Sequence, residues 1–185
     1  MGRDPDPTIK ANLVQRILQY LLENGIQDLS LRPLAQALGT NARMLIYHFG
    51  SKEQLIVEAL DLAQKHQIES LTNSPKPKVQ SQDELAYLWQ WFSSESFLPF
   101  AKLLFDIEVQ AINGNTYYSA FATQIFEGWV RFIQSRFDTC DKATANVIVN
   151  TFSGFLLDLL VTKDTKRVND SFKAFANLIT KTGNL

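Results

Sequence analysis

Leu29-Ser30-Leu31-Arg32-Pro33-Leu34-Ala35-Gln36-Ala37-Leu38-Gly39-Thr40-Asn41-Ala42-Arg43-Met44-Leu45-Ile46-Tyr47-His48-Phe49-Gly50-Ser51-Lys52-Glu53 holds the start and stop signals of consecutive short helices. Ser30 stands at a capping position. Leu31, Leu34, Ala35 and Leu38 follow at i, i+3, i+4 and i+7, one face of a helix. Pro33 lies in the first turn, where a missing N–H costs nothing. Gly39 ends this helix, a second runs from about Asn41 to Phe49, and Gly50 ends that one. The spacing Leu34-Ala35, Leu38-Gly39, Leu45 is what a helix-turn-helix needs. Ala35 lets the second helix approach the first closely, Gly39 supplies the positive-φ position of a tight turn, and the three leucines supply the apolar contacts between them.

Working outward, Ser51-Lys52-Glu53-Gln54 is a capping box that opens a long helix to about Leu71. Upstream, Asp6-Pro7 starts a first helix with the stripe Ile9, Leu13, Ile17 and Leu21, and Asn24-Gly25 stops it. Downstream, Asn73 to Gln80 contains two prolines and no periodicity, so it reads as a linker. Ser81-Gln82-Asp83-Glu84 is a second capping box. Helices are expected at about 82–94, 97–112, 116–137, 141–162 and 166–181, with turns at Asn113-Gly114-Asn115 and Lys163-Asp164. No stretch alternates with period two. The fold class is therefore all-α, with about nine helices, divided into 1–50 (helix-turn-helix), 51–72 (connecting helix) and 73–185 (a helical second domain).

Of 185 residues, 45% are apolar and 20% charged, which describes a globular chain with a real core. The net charge of −1 excludes a uniformly basic nucleic-acid coat but not a local reading surface. A single cysteine, Cys140, excludes an intrachain disulfide and a cysteine-cluster metal site. A reducing cytoplasm is the simplest setting. Met1 to Lys10 has no apolar targeting core, and the most apolar stretch, Phe155 to Val161, is short and interrupted by Asp158, so a soluble protein without a membrane segment is expected. Of 21 aromatic residues, only Tyr20, Tyr47 and Phe49 precede residue 73, so the two halves are built for different work.

Leu45-Ile46-Tyr47-His48-Phe49-Gly50-Ser51-Lys52-Glu53 resembles the L-Y-Y-H-F-x-S-K-E signature of the TetR family of bacterial regulators, and Leu29 to Ala35 resembles that family's entry into its helix-turn-helix. The strong likeness covers about residues 8–62. A softer one covers Gly154 to Asp164, similar to the dimerising helices of some members. The resemblance implies a homodimer whose third helices enter the major groove of a palindromic operator, with half-sites roughly 34–36 Å apart. It also implies a small molecule in the C-terminal domain that moves the reading heads apart.

Carried over residue by residue, the resemblance places Asn41, Ala42 and Arg43 at base edges. Arg43 is the best reader, because a guanidinium pairs two-pronged with guanine O6 and N7. Arg32 can reach a base or a phosphate. Tyr47, His48 and Lys52 match phosphate-contacting positions, and Lys52 also sits beside a helix N-terminus, which attracts phosphate by itself. Thr8 is placed against the backbone. For His48 the alternative is packing beneath the helix, and for Tyr47 packing on the first helix with its hydroxyl outward. One departure stands out: the family usually has two aromatics before the histidine, and the first is here Ile46, which cannot donate a hydrogen bond. Either affinity comes from elsewhere or DNA binding is weaker than usual. Residues 1–72 carry 7 basic and 8 acidic side chains, which predicts affinity that falls quickly with salt.

Trp89, Phe92, Phe105, Tyr117 and Phe121 lie on helices that the resemblance implies enclose a ligand, with Glu108 and Gln124 as polar partners; the plainer reading of the aromatics is core. A mostly apolar or aromatic small effector is expected. The last two helices are apolar around much of their girth and need burial on two sides. Thr151, Phe155, Leu159, Phe172, Phe175 and Ile179 are the residues expected at the dimer interface, in a four-helix bundle about a two-fold axis. No catalytic group, metal ion or cofactor is expected: two histidines, one cysteine and no phosphate-binding glycine loop argue against an enzyme. The remaining alternative is a TetR-like ligand-binding or protein-interaction module without operator binding.

Overall fold

The computed structural model describes residues 7–73 and 81–181. Within them the chain forms nine helices and no strand: α1 (Pro7–Asn24), α2 (Leu31–Ala37), α3 (Ala42–Phe49), α4 (Lys52–Asn73), α5 (Ser81–Phe92), α6 (Leu98–Ile112), α7 (Thr116–Arg136), α8 (Lys142–Thr162) and α9 (Thr165–Lys181). Asp6, the linker residues 74–80 and the Ser81 side chain of the second capping box lie outside the described residues. The helices group into two compact units, Met1–Gln67 with Leu103–Ala122 and Ile68–Lys102 with Thr123–Leu185. This grouping is discontinuous in sequence, unlike the linear division into 1–50, 51–72 and 73–185.

In the first unit the helix boundaries follow local chemistry. The Asn41 side chain accepts from the Met44 N–H at 3.0 Å and caps α3, and Ser51 Oγ accepts from the Gln54 N–H at 3.0 Å and caps α4. The Gln54 amide itself reaches forward to Glu58 at 3.0 Å. Ser30 occupies the cap position of α2 but makes no side-chain cap hydrogen bond. The turn after α2 closes as a Schellman motif: Thr40 N–H donates to the Ala35 carbonyl at 2.9 Å and Gly39 N–H to Gln36 at 3.1 Å, with Gly39 at φ +67°. Leu13, Val14, Ile17 and Leu21 are the buried face of α1, whereas Ile9, expected on that stripe, is exposed. Leu34, Leu45, Phe49, Leu55, Ile56 and Leu60 complete the core of the head. Tyr118 is also buried here, and its phenol is pushed up to about 12, first by desolvation and then by Glu53.

The second unit is built on aromatic packing. Trp89 stacks on Phe172 with ring centroids 5.4 Å apart and an interplanar angle of 15°, and meets Phe152 and Phe155 edge-on. Its indole N–H donates to Asn169 Oδ1 at 2.8 Å, so the one polar atom of the ring is satisfied. Phe92 contacts Phe97, Trp129 and Phe152 in the same cluster. Helix α9 packs on α5 and on α8. The α8–α9 turn places Lys163 in the left-handed region at φ 59° and is clamped by Arg167, which donates to both carboxylate oxygens of Asp158 at 2.8 and 2.6 Å. At 21 residues, α8 is long and apolar enough to cross a bilayer by length and composition, but Ala145, Ile148, Val149, Phe152, Leu156 and Leu159 are buried within the protein.

Candidate nucleic-acid interface

Burial splits α3 into two faces. Leu45, His48 and Phe49 point inward, while Arg43, Met44, Ile46 and Tyr47 lie on the exposed side. A helix of eight residues cannot bury both faces in so small a head, and its N-terminus is fixed by the Asn41 bond to Met44. Arg43 is exposed one position into the helix, Ala42 is half-buried, and Arg32 is exposed in the first turn of α2. Thr8 is exposed in the first turn of α1. A cavity of about 310 Å³ runs beside it, lined by Thr8, Ile9, Asn12, Leu13 and Arg16.

Two expected phosphate contacts take different positions. The His48 ring is only 7% exposed, lies between the rings of Tyr47 and Phe49, and has neither nitrogen hydrogen-bonded. In this conformation it packs beneath the helix, the alternative placement read from the sequence. Lys52 is half-buried, and its Nζ donates to the Leu29 carbonyl at 3.5 Å, which holds the ammonium near the N-terminus of α4. Tyr47 is exposed. Ile46, at 40% exposure, puts a bare hydrocarbon on the surface at the position of the departure from the family signature.

Lys10 is a residue that sequence reading missed. It pairs with Glu58 at 2.8 Å and lies over the Phe49 ring, 5.2 Å from the centroid. It thereby ties α1 to α4 beside the end of α3. Its position three residues before Leu13, on the edge of the apolar stripe, was the available signal.

The residues expected to line a ligand site are distributed over both units. Trp89 and Phe92 belong to the aromatic core of the second unit, each occupied by neighbouring rings. Gln124, in the same unit, is exposed. In the first unit Phe121 is buried, Phe105 half-buried, and Glu108 and Tyr117 exposed. Among the described residues no three or more His, Cys, Asp or Glu side chains group to hold a metal ion. The Cys140 thiol is raised by burial and then by Asp141, which keeps it protonated at neutral pH.

The residues expected at a dimer interface differ in burial. Leu159, Phe172 and Ile179 are buried inside the second unit, and Thr151, Phe155 and Phe175 are half-buried. Phe155 and Phe175 pack on each other at 6.1 Å. The outward face of α8 is instead Val147, Asn150, Gly154, Leu157 and Val161, with Leu178 exposed on α9. Both faces of α8 are apolar, so periodicity alone could not say which one the chain keeps for itself.

With this geometry in hand, the likenesses to known proteins fall into place. Residues 14–59 match the family described as bacterial regulatory proteins, tetR family. The HTH-type transcriptional regulatory protein RaaS of Mycobacterium tuberculosis (strain ATCC 25618 / H37Rv) is 30% identical over 97 residues, 52% of this chain. The chain spans 43% of the length of that relative. Among solved structures, a transcriptional regulator from Rhodococcus sp. Rha1 superposes with a TM-score of 0.77 at 13% identity, covering 94% of this chain and 96% of that one. The multidrug binding protein EbrR complexed with proflavin superposes with a TM-score of 0.71 at 19% identity, covering 92% and 98%. At such identities the structures speak to the fold, and the fold they share is this order of helices. The helix-turn-helix sequence, its capped geometry and these likenesses agree on the head: residues 14–59 match the tetR family of bacterial regulatory proteins, and the order of helices is that of the similar solved structures.

Proposed function

We propose that this chain is a cytoplasmic, homodimeric transcriptional repressor that binds a palindromic operator through α3 and releases it when a small molecule binds. The observation that carries the reading is the exposed face of α3, where Arg43 projects one residue past a capped N-terminus. A guanidinium there suits the O6/N7 edge of guanine, and Asn41, Ala42 and Arg32 flank it. Lys52 and Tyr47 supply phosphate contacts on either side, with Thr8 against the backbone. His48 supports this surface from below.

Dimerisation is supported by the exposed stripe Val147, Asn150, Gly154, Leu157 and Val161. Its alternating steps of three and four residues are the spacing of a helix–helix seam. Glycine inside a helix lowers its stability, by up to about 1 kcal/mol relative to alanine. Gly154 is exposed, with open space where a Cβ would stand, and a second copy crossing closely at this point gives it a role. The effector class rests on the aromatic second half and on EbrR, which is complexed with proflavin in one structure and ethidium in another. A mostly apolar, aromatic small molecule is the expected ligand, with Trp89, Phe92, Phe105, Glu108, Tyr117, Phe121 and Gln124 as residues to probe. Induction is a population shift between DNA-competent and DNA-incompetent forms.

The test is selection of bound sequences from random duplex DNA by the purified protein at moderate salt. The expected result is a palindrome with half-sites roughly one helical turn apart. No enrichment by a folded dimer overturns operator binding. It would favour the second reading, a ligand-binding or protein-interaction module, for which exposed Ile46 is the specific observation.

A further inference from the structure

Three helix ends meet at a buried ion pair in the second unit. Arg136 closes α7, Glu84 lies in the first turn of α5, and Leu71 lies in the last turn of α4. Arg136 and Glu84 are 6% and 5% exposed. Arg136 Nε donates to Glu84 Oε1, and Nη1 donates to the Leu71 carbonyl at 3.0 Å. The charges suit the dipoles: a cation at two helix C-termini and an anion at an N-terminus. The Leu71 carbonyl is one of the last four of α4, which have no partner within the helix, and the guanidinium supplies one.

Stability alone does not account for this arrangement. Buried ion pairs are often replaceable by apolar side chains without loss. This pair also leaves Arg136 Nη2 and Glu84 Oε2 buried with no hydrogen-bond partner. A side-on, two-pronged pair would have joined them. The guanidinium is turned so that one nitrogen serves α4 instead. Helix α4 continues unbroken from Asn73 back to Lys52, three residues beyond the end of α3.

We propose that Arg136 and Glu84 are positioning residues. They lock the last turn of α4 to the ends of α5 and α7, so that a shift of α5 or α7 is carried along α4 toward the reading helix. This rests on the regulator reading above, as the way its effector signal travels.

The test compares R136M, E84M and the double variant R136M/E84M in the full chain. Each single change leaves an uncompensated buried charge and should lower Tm by about 10 °C. The double variant removes both charges and should return to within about 3 °C of the native protein. Its amide exchange over residues 66–73 should nonetheless be about tenfold faster, because the anchor is gone. Its affinity for the duplex selected by the native protein should fall about fivefold, as a smaller fraction of molecules is competent. The salt dependence should not change, because no phosphate contact is touched. A merely structural role predicts that exchange and affinity recover together with Tm. Native-like exchange at 66–73 in the folded double variant overturns the anchor. Faster exchange with native affinity overturns the positioning role. If the double variant does not fold, R136K serves: one ammonium cannot hold the same bonds to both Glu84 and Leu71, so exchange at 66–73 should rise with the charge retained. If the native protein selects no DNA, the regulator reading fails and the signalling role with it, while the exchange comparison still decides whether the pair anchors α4.

Discussion

The reading head and the aromatic unit are held together by different means. In the head, helix ends are fixed by short-range capping bonds from Asn41 and Ser51 and by the Gly39 turn, and the core is aliphatic. In the second unit, rings packed edge-on and face-on around Trp89 carry the structure, and one ion pair, Arg136 with Glu84, is buried among the helix ends. Capping leaves the surface of the head free for polar contacts. Aromatic packing commits most large side chains to the interior. Among the faces that the second unit turns outward is a narrow apolar stripe on α8.

The sharpest way to break this contrast is at Trp89. Trp89→Ala removes one stacked and two edge-on ring contacts and the bond to Asn169, and should destabilise the protein by about 3–5 kcal/mol in denaturant unfolding. No single cap in the head should cost more than about 2 kcal/mol, so Asn41→Ala is the matched control. If the two variants lose equal stability, the contrast is wrong. Next in size, Leu157→Glu puts a charge on the exposed stripe of α8 without disturbing its buried face. It should convert the proposed dimer to a folded monomer in sedimentation at micromolar concentrations. Leu159→Ala, on the inward face, should lower stability while leaving the monomer–dimer equilibrium of the folded protein much less changed.

On the head, Arg43→Ala should reduce the preference for operator over scrambled duplex by about 1–3 kcal/mol. Lys52→Ala should weaken both duplexes alike and make the salt slope shallower by about one. Equal losses on both duplexes for Arg43→Ala would remove it as a base reader. The smallest effect belongs to the α8–α9 clamp. Hydrogen bonding from Arg167 holds the Asp158 carboxyl below its usual value of 3.8. A carboxyl depressed in the folded state contributes stability that is complete above its unfolded value and is lost as pH falls through the folded one. Arg167→Ala should therefore raise the Asp158 value in a carboxyl NMR titration, and its stability difference should be present at pH 7 and vanish in acid.

How much was legible in advance follows from the range of the forces involved. The ends of α3 and α4, the turns at Gly39 and Gly50, and the helix order are all written in neighbouring residues, because caps and positive-φ turns act over three or four positions. The exposed Arg43 and Arg32 could be placed the same way. His48 was left between two placements, a phosphate contact and packing beneath the helix, and the packing of the head around α3 turns it inward. Arg136 did carry a signal, since it continues the apolar stripe Ile125, Trp129 and Phe132, and Glu84 precedes Leu88 by one turn. A charge on an apolar stripe reads as a flaw until its partner is seen 52 positions away.

Sequence by itself determined the all-helical class, the helix-turn-helix and the kinds of side chain at its surface, since these depend on local periodicity, capping and backbone freedom. Only the tertiary structure decided which face of α8 is left outward, where His48 points, and that Arg136 and Glu84 meet at the end of α4. Those are choices between chemically equivalent faces or between distant partners, and they are settled by how much surface the packed helices can bury at once.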